Sequence, residues 1–169
     1  MKLAVLVSGY IGSNVLKYIH SNKKICFVLT DKKSINIINF CNDNKIDLFV
    51  GCPRSNKLNN FLENREIDVL ISVNYLFLIN KNLISLPNRM AFNIHGSLLP
   101  KYRGRTPHVW AIINNEKETG ITAHQIDEGC DTGKIIEQIK VPILENDTGG
   151  IVLDKFNKLY PILVESVLN

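Results

Sequence analysis

The sequence predicts an α/β fold, a mostly parallel twisted sheet with helices on both faces, of Rossmann-like type. Three observations predict it. Apolar runs of strand length, such as Lys2–Val7 and Asp68–Val73, lack in-out alternation, which marks strands buried on both faces. Segments with helical spacing separate them, and strands alternating with helices build βαβ units, which favour a parallel sheet. The chain has 169 residues, 45% apolar and 21% charged, enough for one domain, 1–169, with its own core.

The elements follow in order. Lys2–Val7 is the first strand. Ser8–Asn14 (SGYIGSN) is a turn of small residues, and Val15–His20 is a helix with Val15, Leu16, Tyr18 and Ile19 clustered. Ile25–Thr30 is rich in β-formers and gives a second strand. Ile35–Asn42 is helical, Leu48–Val50 a short strand, and Leu58–Glu66 a helix with Leu58, Phe61 and Leu62 on one face. Asp68–Val73 is another buried strand. Leu83–Leu86 is a helical turn stopped by Pro87, and Met90–Ile94 is a strand running into His95. Thr106–Asn114 is a helix that tolerates Pro107 in its first turn, where an N–H has no helical partner. Gly120–Gln125 and Ile135–Val141 are two more strands. Thr148–Leu168 closes the chain as a helix in which Pro161 predicts a kink or break. All of these are read from residue pattern alone.

Composition excludes several classes. No apolar run is long enough for a membrane-spanning helix, and the N-terminus reads as a strand rather than a signal peptide. Cys26, Cys41, Cys52 and Cys130 have no CxxC spacing, which argues against a zinc site and a disulfide framework and suits a reducing cytoplasm. No metal is expected. The net charge of +4 is modest for a polyanion binder, so no nucleic-acid or membrane partner is expected either.

Parallel sheets bind ligands beyond the carboxyl ends of their strands, which directs attention to the loops after Val7, Val73 and Ile94. The first is not the GxGxxG of a dinucleotide site. Gly12, Ser13 and Asn14 at a helix start are nevertheless candidates to hold a phosphate through backbone N–H groups, or simply to cap the helix. The richest chemistry lies in 92–133. Asn93 and His95 are two apart on a strand, so both side chains point to one face. Asp131 sits in the loop EGCDTG, where flanking glycines permit unusual dihedrals. An amide, an imidazole and a carboxylate suit acyl chemistry. The imidazole exchanges protons near neutral pH, the carboxylate stabilises its charged form, and the amide N–H donates to a developing oxyanion. With no Ser or Cys poised as nucleophile, the substrate's own amine is the expected attacker.

The stretches NIHGSLLPKYRG and DEGCDTG, with Asn93 and Asp131 38 positions apart, resemble the signature of the folate-dependent formyltransferases. That family includes glycinamide ribonucleotide, methionyl-tRNA and nucleotide-sugar formyltransferases. The resemblance runs from the SG…GSN turn to the KVPI strand. It implies 10-formyltetrahydrofolate as co-substrate. It also implies that Asn93 binds the formyl oxygen, that His95 stabilises the tetrahedral intermediate and manages protons, and that Asp131 pairs with His95 or a water and relays the amine's proton. It further implies a pterin pocket lined by Leu76, Leu78 and Ile79 of YLFLIN, with backbone groups around Asp127, Glu128 and Gly129 reading the pterin.

PHVWAI and HGSLLPKYRGR are similar to the nucleotide-sugar branch, and the favoured acceptor is therefore a nucleotide-linked amino sugar, its diphosphate met by Lys101 and Arg103. The GSN turn resembles the purine-pathway branch, which is the alternative. The methionyl-tRNA branch carries a second, tRNA-gripping domain that is not expected here. A 10-formyltetrahydrofolate hydrolase and a non-catalytic folate binder are further alternatives, and a homodimer stays open.

Overall fold

The computed structural model describes residues 1–169. Seven strands form one mixed sheet in the order β3-β2-β1-β4-β5-β6-β7. The chain divides into two compact units, Met1–Phe92 and Asn93–Asn169. No helix is long and apolar enough to cross a membrane.

The first unit contains β1 (Leu3–Val7), α1 (Gly9–Asn22), β2 (Ile25–Thr30), α2 (Ile35–Asp43), β3 (Asp47–Val50), α3 (Asn56–Leu62), β4 (Ile67–Val73) and α4 (Lys81–Ile84). Strand β1 is fully buried and pairs in parallel with β2 on one side and β4 on the other, Val5 lying level with Val28 and Ile71. Strand β3 pairs in parallel with β2. Chain order leaves β1 in one direction and returns at β4 on its other side. That reversal makes the carboxyl ends of β1 and β4 a topological switch point, where such sheets open a crevice. The two ends are tied together by Asn74, whose Nδ2 donates to the Ser8 carbonyl at 3.0 Å.

Two of the boundaries that differ from the sequence reading have a clear backbone cause. Helix α1 starts at Gly9, with Ser8 alone between it and the strand's end at Val7, so most of SGYIGSN is helix rather than turn. Gly9 makes this sharp reversal at φ +65, where a glycine has no Cβ penalty. Gly12 has a packing reason to be glycine, because a Cβ there would lie 2.9 Å from Val7 Cβ. Helix α3 stops at Leu62, short of Glu66, because Asn64 turns left-handed at φ +58. Arg65 then folds back over Phe61, 4.3 Å from the ring centroid, and pairs with Asp47 at 2.7 Å.

Strand β5 (Pro87–His95) gives its last three residues to the second unit, which also holds α5 (Pro107–Ile113), β6 (Glu118–Gln125), β7 (Ile135–Pro142) and α6 (Gly149–Leu168). Strands β6 and β7 are antiparallel, with Ile121 opposite Ile139. Helix α6 buries Val152, Phe156, Tyr160, Leu163 and Val164, one stripe at helical spacing. The helix is continuous through Pro161. The buried stripe continues on both sides of the proline and holds the helix together, while Pro161 itself is only partly covered.

Candidate active site

The second unit gathers the three predicted catalytic residues at the end of β5. Asn93 and His95 project on one face of the strand, and Asp131 reaches them from the loop between β6 and β7. His95 Nδ1 lies 3.4 Å from Asp131 Oδ2, with His95 only 7% exposed. Asp131 holds a left-handed conformation at φ +52, which an aspartate tolerates better than most residues. Its loop closes tightly. Thr132 Oγ1 donates to the Asp127 carboxylate at 2.7 Å, as does the Gly129 N–H at 3.0 Å. A side chain at Gly133 would collide with the Gln125 carbonyl, so the loop can return to β7 only through a glycine.

A fourth member, His124 on β6, was not anticipated. Its Nε2 is 3.2 Å from Asn93 Nδ2 and 3.5 Å from Asp131 Oδ1. Its Nδ1 is 2.8 Å from the Gln125 carbonyl, which can only accept, so Nδ1 carries a proton. The neutral ring therefore accepts from Asn93 at Nε2 and fixes which way the amide points. One amide N–H is thereby used, and the second stays available to a ligand. The sequence signal for His124 was a lone imidazole in a strand of apolar and small residues seven positions before Asp131.

The turn after β5 is sewn to its neighbours. Thr122 Oγ1 donates to the Ser97 carbonyl at 2.6 Å and accepts from Leu99 N–H at 3.1 Å, and Gln138 Nε2 donates to Thr122 and to the Leu99 carbonyl. Leu99–Pro100 is a cis peptide. The following segment, 101–104, returns two backbone groups to the site. The Tyr102 carbonyl accepts from His95 Nε2 at 2.8 Å, and the Gly104 N–H donates to Asp131 Oδ2 at 2.9 Å.

These contacts set the charges. For Asp131, burial pushes the carboxyl pKa up, but the hydrogen bond to His124, the His95 charge and the Gly104 N–H outweigh it and hold it at about 2. For His95, burial pushes the pKa below the ordinary histidine value, the Asp131 carboxylate and the Tyr102 carbonyl opposing it only in part. At neutral pH the pair is a carboxylate beside a neutral imidazole whose Nε2 proton is committed to Tyr102. Nδ1 is the nitrogen left to exchange a proton.

The remaining candidates fall as follows. Leu76 and Leu78 are 51% and 65% exposed on the loop after β4, and Ile79 is partly covered. The Asp127 carboxylate is occupied within its own loop, and Glu128 and Gly129 are exposed beside it. Lys101 is exposed but paired with Glu116 at 3.0 Å, and Arg103 is exposed. Gly12, Ser13 and Asn14 lie in the first turns of α1. The helix already includes them, and the Gly12 N–H donates to the Ser8 carbonyl at 3.3 Å. The N–H groups without an intrahelical partner belong to Gly9–Ile11, and that of Gly9 is taken by Ser34 Oγ at 2.8 Å. The backbone N–H groups of 12–14 are thus directed along the helix. No group of three or more His, Cys, Asp or Glu side chains is arranged to hold a metal ion.

With this geometry in hand, comparison with known proteins is informative. A family model described as formyl transferase matches residues 1–168. The bifunctional polymyxin resistance protein ArnA of Wigglesworthia glossinidia brevipalpis is 33% identical over 159 residues, 89% of this chain and 23% of that protein. The chain spans about a quarter to a third of the length of ArnA and of three methionyl-tRNA formyltransferases that it also matches. Among solved structures, phosphoribosylglycinamide formyltransferase from Bacillus halodurans superposes with TM-score 0.85 at 29% identity, covering 100% of this chain and 96% of that one. WlaRD, a sugar 3N-formyl transferase solved with dTDP and 5-N-formyl-THF, superposes with TM-score 0.81 at 29% identity, covering 99% of this chain and 61% of that one.

Proposed function

This chain is a member of the formyl transferase family, and from that premise we propose that it moves a formyl group from 10-formyltetrahydrofolate to the primary amine of a nucleotide-linked amino sugar. The observation that carries the reaction type is the Asn93–His95–Asp131 cluster, in which His95 and Asp131 lie 3.4 Å apart and the oriented Asn93 amide is joined to Asp131 through His124. The amine nitrogen bonds to the formyl carbon, and the carbonyl oxygen gains charge. The second N–H of Asn93 donates to that oxygen. His95 Nδ1 takes the proton the amine loses, with the Asp131 carboxylate stabilising the imidazolium. The bond from the formyl carbon to the folate nitrogen then breaks, and that nitrogen leaves with the proton. Asp131, at about 2, is too weak a base to keep the proton itself.

Leu76 and Leu78 stand exposed on a short loop, and with Ile79 they suit the apolar wall of a flat heterocycle. Backbone groups at 127–129 are the candidates for the polar reading. Because Glu116 already engages Lys101, Arg103 is the stronger candidate for the acceptor's diphosphate. The likeness to a sugar 3N-formyl transferase supports the sugar acceptor. A second reading, glycinamide ribonucleotide as acceptor, is favoured by the near end-to-end superposition on phosphoribosylglycinamide formyltransferase.

The test is tetrahydrofolate release from 10-formyltetrahydrofolate in the presence of amino sugars linked to dTDP, UDP or GDP, of glycinamide ribonucleotide, and of no amine. Turnover with an amino-sugar nucleotide alone supports the proposal. Turnover with glycinamide ribonucleotide alone replaces it with the second reading, and release without amine replaces it with hydrolysis.

A further inference from the structure

We propose that Glu116, acting through Tyr102, is the positioning residue that holds His95 in its Nε2-protonated form with Nδ1 turned to Asp131. Three observations converge on it. Tyr102 is left-handed at φ +57, a conformation that costs a bulky aromatic residue and needs outside support. Its hydroxyl donates to Glu116 Oε1 at 2.8 Å, and Lys101 Nζ donates to both Glu116 oxygens at 3.0 and 3.3 Å. The Ser97 hydroxyl donates to the Lys101 carbonyl at 2.6 Å and pins the other side of the same turn. The turn so held delivers the Tyr102 carbonyl to His95 Nε2.

The chemistry makes that delivery consequential. A carbonyl only accepts, so the nitrogen facing it must be N–H, and the lone pair is left on Nδ1. If the turn relaxed, the two neutral tautomers of His95 would become closer in energy, and the proton would visit Nδ1, where it bonds the carboxylate. In that form Nδ1 cannot accept a proton from an amine. Glu116 does not touch His95 and belongs to the segment between α5 and β6, so it acts at a distance, by shaping the turn. Two residues further on, the Gly104 N–H reaches Asp131 from the same turn, so both partners of the pair are set by one stretch of backbone.

The catalytic consequence rests on the formyl-transfer reading, whereas the tautomer does not, and the experiment separates them. Protein labelled with 15N-histidine is examined by long-range 1H–15N correlation, with Tyr102→Phe, Glu116→Ala and Glu116→Gln beside the parent chain. The parent shows His95 as the Nε2–H tautomer. Tyr102→Phe and Glu116→Ala are expected to populate the Nδ1–H form and to shift His95 titration to lower pH, since its Tyr102 acceptor is weakened. Glu116→Gln, which keeps an acceptor for the tyrosine hydroxyl, is expected to stay near the parent. With an accepted amine, kcat falls about tenfold in the first two variants while KM for 10-formyltetrahydrofolate stays within twofold. Unchanged His95 signals in both Tyr102→Phe and Glu116→Ala overturn the proposal, as does an Nδ1–H tautomer in the parent. Absence of turnover with every amine sinks the formyl-transfer reading alone, and the tautomer measurement still decides this one.

Discussion

Asn93 and Asp131 meet the two imidazoles in different ways, and their removal has separable consequences. In the proposed mechanism Asn93→Ala deletes the oxyanion donor, and kcat is expected to fall roughly 10²–10³-fold with folate affinity little changed, as steady-state kinetics and direct binding would record. Asp131→Asn keeps the shape and removes the charge. The imidazolium of His95 then lacks its counterion, so its pKa should fall further, visible by NMR titration, and turnover should drop by roughly 10²–10⁴-fold. These residues were legible because Asn-x-His on a strand and a glycine-flanked aspartate are local patterns. His124 was not, because its membership depends on β6 lying beside β5, which no single segment encodes. Tyr102 and Glu116 were equally hidden, since a left-handed tyrosine leaves no trace in residue type.

The strands and helices were largely readable from apolar runs and helical spacing, and their boundaries failed where backbone geometry overrode composition. SGYIGSN looks like a loop because glycine and serine are poor helix formers. It folds as helix because Gly9 makes the turn alone and Gly12 lets the helix press on Val7. Gly12→Ala should therefore destabilise the protein by about 1–3 kcal/mol despite alanine's better helix propensity, seen as a lower urea midpoint at unchanged slope. Pro161 misled in the opposite direction. Its own preference is to break α6, and the buried stripe overrides it. Pro161→Ala restores a helical N–H and is expected to stabilise by about 1–3 kcal/mol, measured the same way.

At the scale of the molecule, the perturbed groups that titrate between acid and neutral pH share one sign. Asp131 has its pKa depressed from 3.8 to about 2, so its stabilisation is present above pH 4 and is lost as pH falls through that interval, about 2 kcal/mol in all. His95 and His108 are held below 6.5, chiefly by burial, so below that pH the unfolded chain takes up their protons more readily. Each makes the folded state bind fewer protons than the unfolded one, and stability should rise from pH 2 to neutrality. Asp131→Asn should flatten the segment between pH 4 and 2 in equilibrium unfolding measured against pH.

The strand order has one more consequence. β3 and β7 are the outermost strands, and an outer strand offers its unpaired N–H and C=O groups as a template for another molecule's edge. β3 limits the danger by brevity, with only four residues. β7 is twice as long and carries exposed Ile135 and Ile136, but Lys140 is solvated and paired with Glu118, and Pro142 at its end has no N–H to donate. One margin resists aggregation by being short and the other by charge and a missing donor, so the sheet is terminated against its own kind in a crowded solution.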